Sequence, residues 1–378
     1  MQFGVIYDIC RPLPFDGFLS EEETFWQALE QIVLAEEVGF DVAWAVEHHF
    51  LEGYSLSSAP EVFLSAVAQH TNRIRIGHAV RLLPPPFNHP VRSAEMAATL
   101  DILSRGRLEM GVGRASSEEE LGGFRVPSAD SRPMLDEVLP EIVKMWTMDE
   151  YPGFAGRYFS MPARKILPKP LQKPHPPLWM ACTQPSSFEL AADYGVGALC
   201  LGVGGPGDVL TSIGRYKERI CHPRRPVGLA VNNAVAPGTV MFCSDDPAHA
   251  MAMGSAAALW FAASAQKLFA PWVGRDVKGY EYYCDLAKQK PDLKQALRYS
   301  CIGTPDIVAN GVREYEKAGF DQLVVFVQAG RIPHADIMES LRLFGREVLP
   351  RFRGNAGPGN DVQPTHSTVG EDTHNPPR

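Results

Sequence analysis

The stretch EEVGFDVAWAVEHHF, residues 36–50, contains the end of one helical pattern, a turn and an apolar strand pattern. The helical pattern begins at Ser20, and Glu23 three residues later completes the sequence signature of a capping box. Gly39 ends the pattern, and the apolar run DVAWAV, residues 41–46, predicts the next strand. This stretch therefore predicts one helix–strand unit of an α/β fold.

The same alternation of strand and helix patterns continues almost to the end of the chain. Eight strand patterns separated by helical segments indicate parallel pairing, and they favour a closed (β/α)8 TIM barrel over an open, doubly wound sheet. We expect one α/β barrel domain over residues 1–353. The eight predicted strands are residues 3–9, 41–46, 74–82, 107–112, 178–181, 198–201, 227–235 and 322–327.

Two insertions and a tail interrupt or extend this alternation. Residues 149–177 are rich in aromatic residues and proline, and their periodicity is too weak to predict a regular element. Residues 248–302 are mainly helical and include GRDVKGYEYY, residues 274–283, which is typical of a mobile loop. Residues 354–378 contain almost no large apolar side chain, so we expect a disordered tail.

Composition excludes several classes of function. The 36 lysines and arginines against 44 acidic residues give a net charge of −8 with no basic stripe, which argues against a nucleic-acid partner. The seven cysteines are scattered and form no CxxC pair, which suits reduced thiols in a cytosol. The N-terminus does not match a signal peptide, and no apolar run is long enough to span a membrane. We therefore expect a cytoplasmic enzyme without a membrane partner.

Functional side chains of a parallel barrel gather where the strands end. His48 is the strongest catalytic candidate, because a histidine at a strand end can exchange protons near neutral pH. The alternative, a histidine that only hydrogen-bonds a neighbouring carboxylate, stays open. A metal site is less favoured, because adjacent strand residues point to opposite faces. The strand ends carry Asp8, Glu47-His48-His49, Arg81, Gly113-Arg114 and Cys182-Thr183.

Two arginines and a hydroxyl-rich helix start suit an anionic ligand. Gly111 and Gly113 before Arg114 would let the backbone approach a ligand closely. A helix N-terminus offers free backbone N–H groups and the positive end of the helix dipole to a phosphate. The alternative is that Ser186 is an ordinary N-cap and that both arginines form surface ion pairs. The candidate phosphate-binding residues are Arg114, Arg132, Thr183, Ser186 and Ser187.

Four ordered blocks of the chain resemble the bacterial luciferase-like flavin-dependent monooxygenases. The resemblance covers almost the whole chain except the two insertions and the tail, and four blocks in order are far more specific than a single glycine motif. The blocks are residues 36–50, HPVRSAEMAATLDILSRGRLEMGVGRA (89–115), LPKPLQKPHPPLWMA (167–181) and GTPDIVANGVREYEKAGFDQLVV (303–325).

The resemblance implies a barrel that binds FMN, or reduced FMN, at the carboxyl ends of its strands. His48 matches the family's active-site histidine, which supports formation and use of a flavin hydroperoxide made from dioxygen. Glu120 matches a carboxylate that often follows the glycine–arginine turn, and residues 273–290 fall where luciferase has a mobile lid. Ala79 and Val80 match a pair joined by a non-prolyl cis peptide beneath the flavin ring. The matches to phosphate-binding residues are Arg114, Arg132, Thr183 and Ser186, with Ser187 as the substitute for Ser186.

The resemblance also implies a two-component system. A separate NAD(P)H-dependent flavin reductase would supply reduced FMN, since the chain has no nicotinamide-binding glycine fingerprint. The other partners are dioxygen, a small organic substrate and a second copy of the chain in a homodimer. Gly113 replaces luciferase's reactive cysteine and Cys182 replaces a glutamate, and both departures argue against light emission. The Glu-His-His form differs from the Asp-x-His form of the deazaflavin-dependent branch, which favours FMN.

Three other functions stay open. The first is deazaflavin-dependent hydride transfer on the same barrel, the second is a non-catalytic flavin-binding partner protein, and the third is a metal-dependent barrel hydrolase. The resemblance does not identify the substrate, since members of the family act on chemically diverse compounds with similar frameworks. The aromatic candidates for a substrate pocket are Phe15, Phe50, Tyr54, Trp260 and Tyr282.

Overall fold

The computed structural model describes residues 1–200, 206–275, 277, 279–288, 292–298 and 300–353. Eleven strands lie in this part of the chain, and eight of them form a closed parallel barrel, so the predicted (β/α)8 fold is confirmed. The strands are β1 Gln2–Tyr7, β2 Val42–Ala45, β3 Arg75–Leu82, β4 Leu108–Gly113, β5 Tyr151–Ala155, β6 Ser160–Arg164, β7 Leu178–Ala181, β8 Gly197–Cys200, β9 Val235–Cys243, β10 Cys301–Gly303 and β11 Gln322–Phe326.

The barrel closes between β8 and β9. Around the barrel the order is β9, β11, β1, β2, β3, β4, β7 and β8, and β8 pairs again with β9, so no strand of the eight has a free edge. All of these pairs are parallel. The short β10 extends this sheet beside the last three residues of β9. Parallel closure brings the carboxyl ends of all eight strands to one rim.

Helices follow the strands and cover the outside of the barrel. The first of them, α1, starts with the predicted capping box between Ser20 and Glu23 and ends at Gly39, whose φ is 110°. The helices are α1 Glu21–Val38, α2 Pro60–His70, α3 Pro90–Leu103, α4 Glu118–Gly123, α5 Ser128–Thr147, α6 Pro185–Tyr194, α7 Pro206–Ile220, α8 Pro247–Phe269, α9 Glu281–Lys288, α10 Leu293–Arg298, α11 Pro305–Lys317 and α12 His334–Leu343.

The seventh predicted strand, residues 227–235, is wrong. The strand lies one segment later, in β9, and the chain before it follows an irregular path. Pro237 and Gly238 resemble a turn in the sequence, yet both lie inside β9, where Cys200 is opposite Pro237 and Val324 is opposite Gly238. Turn-forming residues inside a strand therefore caused the error.

The first insertion contains regular structure that its sequence does not predict. The strands β5 and β6 form an antiparallel hairpin within residues 149–177. Tyr151 is buried and donates a hydrogen bond of 2.7 Å to Glu141 of α5, so the hairpin is fixed by a tertiary contact rather than by periodicity. The second insertion is helical as predicted, with α8, α9 and α10 between β9 and β10.

The amino-terminal half of the barrel interior is filled by two tryptophans. Trp44 of β2 and Trp179 of β7 meet edge to face across the barrel, with ring centroids 5.6 Å apart. The indole N–H groups donate to Gln322 at 2.8 Å and to Glu109 at 2.6 Å. Gly77 lies in the neighbouring strand β3, and a Cβ atom there would lie 2.3 Å from the Trp44 ring. Glycine at this position therefore makes room for the indole. This packing closes the lower end of the barrel.

Two expectations fall wholly or partly outside the described part of the chain. The predicted disordered tail, residues 354–378, lies outside it, as do residues 276, 278, 289 and 290 of the predicted lid. Within the described residues, no helix has the length and apolar character needed to cross a membrane.

Candidate active site

The carboxyl ends of the barrel strands surround a cavity of about 1150 Å³, part of which is open to solvent. Its walls come from strand ends and from the insertion that contains α8 and α9. Of the predicted site residues, His48, Ala79, Val80, Arg114, Arg132, Thr183 and Ser187 line the cavity. The structure thus brings seven of the nine predicted site residues to one place.

His48 is held by a buried carboxylate. Its Nδ1 lies 2.9 Å from Oε1 of Glu120, which is fully buried at the start of α4. Glu120 also accepts hydrogen bonds from the Ser117 hydroxyl at 2.6 Å and from the His49 backbone N–H at 3.3 Å. Burial raises the pKa of Glu120, but the charge of His48 and these hydrogen bonds lower it below its usual value. Glu120 therefore stays ionised and does not line the cavity itself; it orients the histidine.

The other ring nitrogen of His48 faces Asp8 at the end of β1. The distance from Nε2 to Oδ1 is 3.9 Å, which is too long for a hydrogen bond. Burial opposes the charge of His48, but the negative charges of Glu120, Asp8 and Glu47 outweigh it and raise the pKa of His48. Burial likewise raises the pKa of Asp8 to about 6, against the lowering effects of His48 and a hydrogen bond from Tyr54. The pair can thus exchange protons near neutral pH.

Glu47 and His49, the neighbours of His48, have structural partners. Glu47 accepts hydrogen bonds from the Leu82 backbone N–H at 2.9 Å and from the Asn88 side chain at 2.7 Å. His49 Nε2 lies 3.3 Å from Glu47, and its ring packs against Phe124 with centroids 4.8 Å apart. In the part of the chain that the structure describes, no three His, Cys, Asp or Glu side chains are grouped to hold a metal ion.

A cis peptide bond joins Ala79 to Val80, as the resemblance implies. The pairing of β3 with β4 shifts register at this point, and both residues line the cavity. A Cβ atom at Gly113 would lie 2.4 Å from Val80, and one at Gly111 would lie 2.1 Å from the backbone oxygen of His78. The neighbouring strand therefore requires both glycines. Gly113 also lines the cavity, so its close approach to a ligand stays a prediction, whereas Gly111 is not part of the wall.

Arg114 and Arg132 form the cationic part of the site. Arg114 donates to the Ser131 hydroxyl at 2.9 Å and to the backbone oxygen of Gly279, and its guanidinium lies 4.2 Å from the Tyr280 ring centroid. Arg132 reaches only the sulfur of Met180, at 3.8 Å. Among the described residues neither arginine has a carboxylate within 4.0 Å, so the surface ion-pair alternative is wrong for both. Burial and the charge of Arg114 lower the pKa of Arg132.

The hydroxyl groups of the predicted phosphate site divide into two groups. Thr183 and Ser187 line the cavity, whereas Ser186 is exposed and is not part of the wall. The N-cap of α6 is Gln184, so Ser186 is not the N-cap either. Of the two serines, Ser187 is the residue of the cavity wall, and a contact of Ser186 with a phosphate stays a prediction.

The second insertion covers the arginine side of the cavity. Tyr280 is fully buried, and its hydroxyl lies 2.9 Å from that of Ser131. Tyr283 lies 3.1 Å from the Thr183 hydroxyl. Trp272 stacks on Tyr280 with ring centroids 4.5 Å apart and donates to the Ser116 backbone oxygen at 2.9 Å. These contacts place insertion side chains directly on the predicted phosphate-binding groups.

Of the five aromatic candidates for a substrate pocket, Tyr54 and Tyr282 line the cavity. Trp260 stacks on Tyr54 with centroids 6.0 Å apart and supports it from behind. Phe15 and Phe50 are 44% and 63% exposed and do not belong to the wall, so their assignment was wrong.

Several residues that the structure brings to the site had no predicted role. Asp8 was named among the residues at the strand ends but was given no function. The others come from segments with no strand-end signal, and only tertiary packing shows their position. They are Ser117 beside Glu120, Ser131 beside Arg114, and Tyr280 and Tyr283 of the insertion.

Curated relatives carry two kinds of cofactor in their names. The oxygenase component of the flavin-dependent trigonelline monooxygenase of Acinetobacter baylyi is 25% identical over 88% of this chain and 91% of that protein. The F420-dependent glucose-6-phosphate dehydrogenase of Amycolatopsis mediterranei is 28% identical over 89% of this chain and 98% of that protein. The protein y4wF of Sinorhizobium fredii is 36% identical, but the alignment covers only 47% of this chain and 51% of that protein.

A solved structure and a family model agree with the barrel. The crystal structure of the monooxygenase RslO1 from Streptomyces bottropensis superposes with a TM-score of 0.77 at 25% identity, over 93% of this chain and 100% of that chain. The family model described as luciferase-like monooxygenase matches residues 4–322. With that match over most of its length, the chain belongs to the luciferase-like monooxygenase family and is an oxidoreductase enzyme.

Proposed function

We propose that this protein is the oxygenase of a two-component monooxygenase, which uses reduced FMN and dioxygen to oxygenate a small organic substrate. The single observation that carries the proposal is that one cavity combines two arginines, with no carboxylate within 4.0 Å in the described ranges, with a histidine oriented by a buried carboxylate. The arginines suit a phosphate, and the histidine suits proton transfer beside a redox cofactor.

The residues present fit FMN. Arg114 and Arg132 would bind the phosphate, with the hydroxyls of Thr183 and Ser187 beside them at the first turn of α6. Ala79 and Val80 enter the cavity on the cis peptide and would contact the ring system. Bound FMN would supply the two-electron chemistry that activates dioxygen, which no side chain of the chain provides.

His48 would move protons at its Nε2 atom. Because Glu120 is ionised, it fixes the proton of neutral His48 on Nδ1 and leaves Nε2 free to accept a proton. The raised pKa of His48 favours its protonated form, which can donate a proton instead. Glu120 is a positioning residue, since it acts through the histidine and does not line the cavity.

The second insertion would exclude water from the cofactor. Tyr280 and Trp272 close the arginine side by packing against the loop after β4, and Tyr283 closes the side of Thr183. Exclusion of water protects reactive oxygen chemistry from side reactions. In our proposal residues 273–290 open to admit ligands and then close, which keeps the predicted lid as part of the function.

The partner proteins belong to the same proposal. A separate NAD(P)H-dependent flavin reductase would deliver reduced FMN, and the relative from Acinetobacter baylyi, named an oxygenase component, supports this division of labour. The homodimer and the cytoplasmic location that we expect from the sequence are also proposals.

The second candidate is hydride transfer with the deazaflavin F420. The 28% identity to a relative named as F420-dependent, over 89% of this chain, favours it. Both cofactors carry a phosphate, so the two arginines do not distinguish them. The Glu-His-His form at residues 47–49 is our reason to place FMN first.

The test is a parallel titration of the purified protein with oxidised FMN, reduced FMN and oxidised F420. We expect reduced FMN to bind and the complex, supplied by a flavin reductase and NADH, to consume dioxygen. His48→Ala should retain FMN binding but lose coupled product formation once a substrate is in hand. Tight binding of F420 with no oxygen consumption would replace this proposal by hydride transfer.

A further inference from the structure

The two sides of the cavity carry opposite charges. The side of α6 has Arg114 and Arg132, without a carboxylate within 4.0 Å among the described residues. The side of β1 and β2 has three carboxylates in or beside the wall, and they are Asp8, Glu47 and Glu120. A phosphate accounts for the first side. Whether the carboxylates of the second side are paired with cations of the protein indicates the charge of the ligand that this side binds.

Two of the three carboxylates have charged partners. Glu120 pairs with His48 at 2.9 Å. Glu47 lies 3.6 Å from Arg81, and hydrogen bonds from the Leu82 N–H and the Asn88 amide satisfy it further. Arg81 also pairs with Glu61, a fourth carboxylate, at 2.8 Å, so its single positive charge is shared between two acids.

Among the described residues, the one charged group that pairs with Asp8 is shared with another carboxylate. This group is His48, 3.9 Å away, and that imidazole already pairs with Glu120. The Asp8 side chain is only 3% exposed, yet it reaches the cavity wall. A buried carboxylate without a cation costs free energy, and a ligand that brings a positive charge would remove this cost.

Aromatic side chains surround the same part of the wall. Tyr54 hydrogen-bonds to Asp8 and stacks on Trp260. Phe261 and Phe326 lie beside it, with ring centroids 4.6 Å apart, and all three of Tyr54, Phe261 and Phe326 line the cavity. The faces of aromatic rings attract cations, and the attraction is strongest where water is excluded.

We propose that the organic substrate is a cation, a quaternary or protonated amine whose positive nitrogen lies beside Asp8 and against the aromatic rings of the same wall. The inference rests on the proposed function in that it treats this side of the cavity as the substrate side. An anionic substrate would meet uncompensated negative charge there. A purely apolar substrate would leave Asp8 buried with only a shared cation.

The test uses choline and its uncharged carbon isostere, 3,3-dimethylbutan-1-ol, which differ in charge but hardly in shape. Calorimetric titration of the full chain should show roughly tenfold tighter binding of choline, because a cation gains from both the carboxylate and the aromatic faces where water is excluded. Asp8→Asn should abolish this preference. Asp149→Asn, in which the exchanged carboxylate is 92% exposed and distant in sequence, should retain it.

A second variant covers the case in which Asp8→Asn fails to fold. Tyr54→Leu removes the aromatic face but leaves Asp8, and we expect it to reduce the choline preference several-fold. Dimethylaminoethanol, protonated at neutral pH, tests whether an N–H donor is preferred over a quaternary nitrogen; binding of either cation supports the proposal. Equal affinity for choline and its isostere in the parent protein, or an unchanged preference in Asp8→Asn, would overturn it.

The same samples separate this inference from the proposed function. FMN is titrated into each preparation before and after choline. Binding of FMN without a preference for choline defeats only the inference about the substrate. A preference for choline without any binding of FMN defeats the proposed function and leaves a cation-binding barrel.

Discussion

The two ends of the barrel interior are built from the same eight strands but meet opposite demands. At the amino-terminal end, the Trp44–Trp179 pair fills the interior, and each indole N–H has an acceptor. At the carboxyl-terminal end the interior is open as the cavity, where among the described residues Arg132 has no carboxylate within 4.0 Å and Asp8 shares its charged partner with Glu120. This difference indicates that the ligand-binding site is at the carboxyl-terminal end, where the fold leaves polar groups that a ligand can pair with.

Unfavourable backbone conformations lie beside the cavity wall. Two residues other than glycine with positive φ follow residues of the wall directly, and they are Ile9 after Asp8 and Ala115 after Arg114. Such conformations are unfavourable for these residue types and persist where the surrounding structure enforces them. At the lower end, glycine instead removes side chains that would collide, as at Gly77 against Trp44.

The largest effect on stability is expected from a substitution at the amino-terminal, or lower, end of the barrel interior. Trp44→Ala should reduce the free energy of unfolding by about 3–5 kcal/mol, because a large buried aromatic side chain is replaced by a cavity. Urea denaturation followed by circular dichroism measures the change. Trp26→Ala is the matched control, since that side chain is 56% exposed on α1, and it should cost less than about 1 kcal/mol.

The same variant tests whether the two ends are independent. FMN affinity of Trp44→Ala, measured at a temperature where the variant is folded, should stay within about threefold of the parent, because distant sites are nearly additive. A loss of FMN affinity as large as that of the next variant would contradict the division of the barrel into a structural and a functional end.

At the upper end, Arg132→Ala should weaken FMN binding by roughly 10- to 100-fold, since hydrogen bonds to charged groups contribute about 1.5–3 kcal/mol. The stability of the ligand-free protein should change little, because the substitution removes the cost of burying Arg132 and its repulsion by Arg114 but also its attraction to Asp136. Fluorescence titration with FMN and urea denaturation give the two numbers. Arg92→Ala, at a side chain that is 75% exposed, should change neither. A variant that lost stability but not FMN affinity would assign Arg132 a structural role.

Exchanging a buried carboxylate for its amide should have opposite effects at the two ends. Glu109 at the lower end pairs with Arg75 and accepts from Trp179, so Glu109→Gln should destabilise the protein by about 2 kcal/mol. At Asp8 of the upper end, the cost of burial outweighs the hydrogen bond from Tyr54 and the charge of His48, so Asp8→Asn should stabilise the protein by a similar amount at pH 7.5. Thermal unfolding of both variants measures the sign, and two destabilised variants would remove the distinction.

The effect of Asp8 should depend on pH in a defined direction. Its folded pKa of about 6 lies above the unfolded value, so the folded state binds the extra proton between about pH 4 and 6. The contribution of Asp8 to stability is therefore present at low pH and lost as the pH rises through 6. The stabilisation by Asp8→Asn should accordingly disappear near pH 4, where Asp8 of the parent protein is protonated.

The sequence predicted the fold well because strand and helix periodicities depend on local pattern. Seven of the eight predicted strands needed only shifts of one or two residues, and the capping box of α1 matched in detail. The failures were places where tertiary contacts override local preference. Pro237 and Gly238 lie within β9 because their neighbours supply the pairing, and the hairpin of β5 and β6 depends on a contact between Tyr151 and Glu141.

The site was predictable only where a residue stood next to a strand end. Three site residues come within three positions of the end of a strand, and they are His48, Arg114 and Thr183. The parallel topology alone brings them together. Glu120 needed the resemblance, since its contact with His48 spans 72 residues. Tyr280 and Tyr283 could not be placed, because the path of the insertion depends on packing between side chains rather than on any strand.

The smallest effect concerns a single hydroxyl at the rim of the functional end. Ser187→Ala should weaken FMN binding by about two- to tenfold, since Ser187 is buried in the wall beside Thr183 and one hydrogen bond contributes roughly 0.5–1.5 kcal/mol. Ser186→Ala removes the same atom from the exposed side of the same helical turn and should leave the affinity unchanged. Because the pair differs only in which face of α6 it occupies, titration of both with FMN measures the boundary of the site to within one residue. Equal losses in the two variants would mean that the helix start, rather than the side chains, binds the phosphate.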